Sequence, residues 1–267
     1  MRHQKVIIGI ILFAFIVSCS TVPITGRKQL SLIPDSEMYA MSYQQYDQFL
    51  SEHQLSNDPQ KTKLVKDVGA NIQAAVEKFM ADNGMASRMK DYRWEFNLIE
   101  SGEVNAWCMP GGKVVVYTGI LPVTKDENGL AVVMGHEVAH AIAEHGNERM
   151  SQGLLANMGA VALSAALDEK PEETRALWMT AYGVGAQVGA LLPFSRQQES
   201  EADQLGLIFM AMAGYDPNGA VAFWQRMAEQ GGPAPPEFMS THPSNQSRIE
   251  NLKKLIPDAM TYYQASN

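Results

Sequence analysis

His136-Glu137-Val138-Ala139-His140 sets two histidines one helical turn apart, with a glutamate beside the first. Residues four apart share a face of a helix, so both imidazoles can reach one cation. Glu137 lies about 100° around the axis from His136, close enough to reach a water on that cation without ligating it. Such a carboxylate can take a proton from the water, and the hydroxide formed can attack a polarised peptide carbonyl. Two imidazoles, a third protein ligand and an open position suit a catalytic zinc ion, one per chain. The spacing predicts a helix over about 126–150 that carries this chemistry.

The third ligand is sought downstream. A metzincin would place glycine three residues and histidine six residues after His140, where this chain has Ala143 and Gly146; that class is excluded. His145 is out of phase with the pair and reads as a neighbour of the ligands or a surface group. Ser195-Arg-Gln-Gln-Glu199-Ser-Glu201-Ala-Asp203 offers carboxylates instead. Glu199 and Glu201 fall on nearly opposite faces of a helix, so only one can point at the metal. Asp203 shares the face of Glu199 and can accept the N–H of a ligating histidine. Glu199 is therefore the expected ligand, Asp203 its supporting acceptor and Glu201 the alternative.

Around this core the 267 residues, 46% of them hydrophobic, suffice for one buried core. Asp58-Pro59 opens a helix carrying Leu64, Val68, Ile72, Ala75 and Phe79, and an earlier helix is capped at Ser36. Tyr92 to Ile99 alternates as a strand, and Pro110-Gly111-Gly112 turns a hairpin whose second arm is Val114 to Thr118. Two apolar stretches, 154–167 and 176–192, are too short or too interrupted by glycine to span a bilayer and read as buried helices packed on small residues. The tail ends in a helix near Gln246 to Leu255. The expected class is α+β, a predominantly helical zincin-type metalloprotease domain with a small β-sheet or hairpin.

The net charge of −8 and the absence of basic runs exclude nucleic acid as a partner. Arg2, Lys5 and the apolar Val6 to Val17 form an export leader. It runs into Ile16-Val17-Ser18-Cys19, which resembles a bacterial lipobox, so Cys19 is the expected lipidation site. The expected organisation is a signal peptide over 1–18, a lipidated tether over 19–34 and one metallopeptidase domain over 35–267. With Cys19 acylated, Cys108 has no partner for a disulfide and reads as inert.

The HEVAH motif, the run from Ser195 to Asp203 and Thr241-His242-Pro243 together resemble the HtpX/LoiP/BepA family of zinc metallopeptidases, which also includes the CAAX prenyl protease. Pro23-Ile-Thr-Gly-Arg-Lys-Gln-Leu30 is similar to the stretch after the lipidated cysteine in its short lipoprotein members, and Asn105-Ala106 with Pro110-Gly111-Gly112 to a further family element. The resemblance implies His136, His140 and Glu199 as zinc ligands and Glu137 as base. It implies that substrate adds to an edge strand after Gly111, with Asn105, Gly111 and Gly112 at the binding site. It brings His242 near the metal, either stabilising the oxyanion or closing the metal as a fourth ligand, and lets Arg248 support developing charge.

Two functions follow. One is an endopeptidase acting on unfolded or misfolded envelope polypeptides, anchored by lipid at the periplasmic face of the bacterial outer membrane, with outer-membrane assembly machinery as a partner. The other is a latent zinc-stabilised chaperone or binding module closed by the His242 loop. A purely structural lipoprotein is disfavoured by the intact Glu137.

Overall fold

A computed structural model describes residues 19–168, 170, 172–187, 192–230, 237–242 and 246–266. The leader over 1–18, the lipobox residues before Cys19 and Pro243 of the Thr-His-Pro element lie outside them. The fold is α+β and mostly helical, with small sheets.

The stretch over 19–34 carries a hairpin. Strands β1 (Cys19–Thr21) and β2 (Lys28–Leu30) pair antiparallel, Cys19 opposite Leu30. Left-handed backbone at Ile24 and Gly26 turns the chain between them. Helix α1 (Asp35–Glu52) follows, beginning one residue before the expected cap. Helix α2 (Pro59–Asp82) starts as its sequence requires: Asp58 accepts the N–H groups of Gln60 and Lys61, and Pro59 occupies the first turn.

Three strands form the second sheet: β3 (Glu95–Ile99), β4 (Ala106–Met109) and β5 (Lys113–Tyr117), in the order β3-β5-β4. β5 runs parallel to β3 and antiparallel to β4. This corrects the expectation of an edge strand after Gly111, because β5 is central and the open edge on that side is β4. The reason is visible in Val114-Val115-Val116, all fully buried: an uninterrupted β-branched run suits a strand covered on both faces, not an edge. Each of those valines contributes about 1.5–3 kcal/mol by burial.

After a 3₁₀ turn come α3 (Leu121–Thr124) and α4 (Glu127–Ile142), the latter capped by Asp126, whose side chain accepts the Gly129 N–H. Every residue of α4 from Gly129 to Ile142 is buried. The single helix expected over about 126–150 is in fact broken at Glu144, which takes a left-handed conformation. A new helix, α5 (His145–Ala166), begins there. Then follow α6 (Glu172–Ala186), α7 (Leu192–Met212), α8 (Gly219–Glu229), the short α9 (Glu237–Thr241) and α10 (Gln246–Ser266). α10 runs past Leu255 and through Pro257, well beyond the expected end.

The described chain divides into two compact units. One holds the residues up to Met38 with Glu144–Gln198, and the other Tyr39–Ala143 with Glu199 onward. In the first unit Tyr182 lies over Gly159 and donates to the Ala156 carbonyl, so α5 and α6 do pack on a small residue. They are not buried helices, however: Met158, Val161, Leu177 and Trp178 are all more than half exposed. Among the described residues no helix is long and apolar enough to cross a membrane. In the second unit α2 packs on β3 and α4 on β4. At one contact Gly69 of α2 lies so close to the Phe96 ring that a Cβ there would overlap it.

Candidate metal centre

The site lies wholly in the second unit. α4 supplies His136, Glu137 and His140, α7 supplies Glu199 and Asp203, and His242 directly follows α9. Two glycines let these helices meet. A Cβ on Gly135 would sit 2.9 Å from the Gly206 carbonyl oxygen, and one on Gly206 2.9 Å from the His136 nitrogen. Backbone therefore touches backbone directly behind the first histidine. Gly206 is three residues after Asp203 and seven after Glu199, on the face that carries both carboxylates. The spacing of Glu199, Asp203 and Gly206 is the sequence signal for this close approach.

His136, His140, Glu199 and His242 each point one donor atom into a space where all four atoms lie within 4.8 Å of one another. His140 Nε2 is 3.1 Å from His136 Nε2, and His242 Nδ1 is 3.2 Å from the same atom. The Glu199 oxygens stand 3.4 Å from His136, 3.2 Å from His140 and 3.0 Å from His242. Ligands about 2.0–2.1 Å from a tetrahedral centre are separated by roughly 3.3–3.4 Å. The observed separations of 3.0–3.4 Å fit that figure, so three imidazoles and one carboxylate form a donor set suited to a divalent cation. Glu201 is buried on the same helix but is absent from this set, as are the fully buried His145 and the partly buried Cys108. Burial and the nearby Glu137 charge push the Cys108 thiol well above its usual range, which disfavours the thiolate a metal needs.

A ring of charge supports the donors. His136 Nδ1 lies 3.1 Å from Asp203 Oδ1, so a proton on Nδ1 has an acceptor there and Nε2 keeps its lone pair for the cluster. Arg248 grips Asp203 with two nitrogens, Nε at 2.9 Å and Nη2 at 2.6 Å, and its Nη1 is 3.3 Å from Glu199. The guanidinium lies 3.4 Å from the centre of the Trp224 ring, and Trp224 sets its ring edge-on to His136 at 5.5 Å. Arg248 is thus held among these groups by Asp203, Glu199 and Trp224. Nothing in the sequence marked Trp224.

These neighbours set the protonation states. Burial and Arg248 both favour neutral His136, yet the hydrogen bonds to Asp203 and Glu199 outweigh them and raise its pKa to about 9. A cation entering the site competes with that proton. Burial opposes ionisation of Glu199, but the three histidines hold its carboxyl far below the usual range. Burial opposes ionisation of Asp203 as well; Arg248 and then His136 override it and lower the pKa.

Glu137 is 4% exposed. Its Oε1 is 3.5 Å from His242 Nε2. His242 is fixed by its own N–H, which donates to the Phe238 carbonyl at 2.8 Å, and by the Phe238 ring at 4.8 Å. Among the residues expected to bind substrate, Gly111 and Gly112 adopt φ of 84° and 87°, values that favour glycine. Their carbonyls accept from Arg93 and Glu95, and added Cβ atoms would strike Tyr43 and Trp94. They build the turn between β4 and β5. Asn105 sits at the start of β4, buried, its side-chain oxygen accepting the Ala106 N–H.

A model of the family described as Peptidase family M48 matches residues 68–256. The mitochondrial metalloendopeptidase OMA1 of Schizosaccharomyces pombe is 32% identical over 250 residues, covering 92% of this chain and 69% of the relative. The OMA1 metalloendopeptidase of Bos taurus is 32% identical over 253 residues, covering 92% and 47%. The beta-barrel assembly-enhancing protease of Escherichia coli is 25% identical over 252 residues, covering 92% and 49%. The chain thus spans about two thirds of the first of these relatives and about half of the other two.

Proposed function

Because the chain belongs to peptidase family M48 and is a metalloendopeptidase, we propose that His136, His140 and Glu199 of this cluster hold one zinc ion, which serves peptide-bond hydrolysis by a Glu137-activated water. The observation that carries this is the set of tetrahedral separations among His136, His140, Glu199 and His242, with the Glu137 carboxylate alongside. Zinc, when bound, acidifies water and polarises a peptide carbonyl. His136 and His140 orient the site from one face of α4, and Asp203 holds His136 in the tautomer that presents Nε2. Glu137 accepts the proton of the attacking water and returns it to the leaving amine.

The substrate backbone lies along β4, the open edge of the sheet, which packs on the helix that carries Glu137. Asn105 and the Gly111-Gly112 turn mark the two ends of that edge. The substrates proposed are unfolded or misfolded envelope polypeptides, whose extended backbone can pair in this way regardless of side chain. The export leader and the lipobox ending at Cys19 support a lipid-anchored protein at the periplasmic face of the outer membrane. The bacterial relative's name ties that protein to β-barrel assembly, which supports assembly machinery as a partner here; the OMA1 relatives are mitochondrial.

The ligand assignment is tested by measuring bound zinc in Glu199→Ala and Glu201→Ala. Glu199→Ala loses the metal and its cleavage of unfolded casein, while Glu201→Ala keeps zinc in a one-to-one ratio. The reverse pattern overturns the choice of Glu199.

The position of His242 favours a second reading of the resting state. Its Nδ1 stands where the open position of a catalytic zinc site would be, at 3.0–3.2 Å from Glu199 and His136. On this reading His242 holds the enzyme closed, and only a minor open population turns over. With an open population of a few per cent, His242→Ala raises turnover of casein by roughly tenfold or more at unchanged zinc content. A fall in turnover with zinc retained assigns His242 instead to stabilising the oxyanion.

A further inference from the structure

The open edge of the three-stranded sheet has a fixed register and two unlike faces. The Tyr117 N–H donates to the Asn105 carbonyl across the antiparallel β4–β5 pair. Inward and outward backbone groups alternate along such a strand, so the backbones of Trp107 and Met109 also face β5. Ala106 and Cys108 then turn their N–H and C=O to the open edge. The Glu95 N–H donates to the Gly112 carbonyl on the far side of β5, which fits the same alternation. The Ala106 N–H is taken by the Asn105 side-chain oxygen at 2.9 Å. Among the described residues of β4, Cys108 is therefore the one that presents both groups to an incoming strand.

Side chains alternate along the strand as well. Cys108 points to the α4 side, where the Glu137 charge reaches its thiol. Trp107 and Met109 point to the other side. There, with Phe49 of α1, they are half-buried over a core that contains Tyr46 and Val115. Trp107 stands edge-on to Phe49 at 4.9 Å, and its Nε1–H donates to the Tyr117 hydroxyl at 3.3 Å. All of these residues belong to the second unit.

We propose that Trp107 and Met109 determine specificity, selecting extended segments that carry large apolar side chains at positions two residues apart. This deepens, and rests on, the reading that substrate backbone lies along β4. A substrate residue paired with Cys108 sends its side chain toward α4 and Glu137. The residues before and after it point to the other side, one over Trp107 and one over Met109, whichever way the substrate runs. Those two side chains are about 7 Å apart along the strand, the spacing of alternate residues in the substrate. Leucine or phenylalanine there completes the burial of two half-covered groups, whereas a charged side chain is desolvated without a partner. Backbone pairing is indifferent to side chains, and this apolar shelf adds the preference. The pattern selected is that of an amphipathic strand, whose apolar face is accessible when a protein is unfolded.

The experiment uses the purified full chain with zinc and two quenched fluorescent peptides of identical composition. One has leucines two residues apart and the other three apart, in a background of alanine and serine. Wild type is expected to give a kcat/KM about tenfold higher for the first peptide. Equal values overturn the proposal. Trp107→Ala brings the ratio close to one, and a wild-type ratio in that variant also overturns it. Met109→Lys is expected to improve cleavage of a peptide with glutamate in place of one leucine, by about tenfold relative to the parent peptide. A ratio between peptides cancels any loss of folded enzyme, so a purely structural role moves neither variant's ratio. The strand reading fails separately. Cys108→Pro removes an outward N–H and no ladder bond, which edge strands tolerate. Compared with Cys108→Ala, it is expected to lower kcat/KM for both peptides at least about tenfold. Equal cleavage by these two variants overturns strand addition at β4, and the proposal with it.

Discussion

Glu137→Gln is expected to lower kcat/KM on unfolded casein by about 10²–10⁴ while leaving one zinc per chain. The change is nearly isosteric at a side chain that is only 4% exposed, so packing and the neighbouring donors are conserved. What disappears is the ability to take a proton, because an amide oxygen is far less basic than a carboxylate. Glu137 is not one of the four clustered donors, so zinc content is expected to survive. Parallel measurement of bound zinc and cleavage decides the matter. Equal cleavage by both proteins removes Glu137 as the base; loss of zinc together with cleavage makes it part of the metal's support instead.

The parts of the site legible in the sequence are those governed by helical period. His136 and His140 share a face by spacing alone, and the four-residue step from Glu199 to Asp203 puts both toward His136. The α2 start at Asp58-Pro59 was legible for the same local reason. Features set by tertiary partners were not. Val114 to Val116 reads as a strand, but its central place depends on β3 arriving on its far side, more than ten residues upstream. The break between α4 and α5 falls at a glutamate in a left-handed conformation, with no glycine or proline at the break to announce it. The apolar runs in α5 and α6 showed helix, yet apolarity does not say what covers a helix, and Met158, Val161 and Trp178 remain exposed. Arg248 was visible as a cation near His242, but its pairing with Asp203 joins residues 45 apart in the chain.

That pairing gives the largest expected effect on stability. Arg248→Met is expected to destabilise the metal-free protein by about 3–5 kcal/mol at neutral pH, because the lost guanidinium leaves two buried carboxylates with only His136 to offset their charge. Both oxygens of Asp203 and one of Glu199 face Arg248, and methionine fills the volume while offering no charge. The pH dependence has a definite sign. Arg248 holds the Asp203 pKa below its unfolded value, so the stabilisation it confers is fully present above about pH 4 and is lost as pH falls through the folded pKa. The gap between wild type and variant should therefore be widest near neutrality and close in acid. Zinc should also narrow it, since a cation bound at Glu199 replaces part of the missing positive charge and adds its own binding energy to the native state. Urea denaturation with chelator and with zinc, at pH 7 and in acid, measures all three quantities. A variant as stable as wild type in chelator at pH 7 would show that His136 alone neutralises the two carboxylates, and that Arg248 adds no stability at this site.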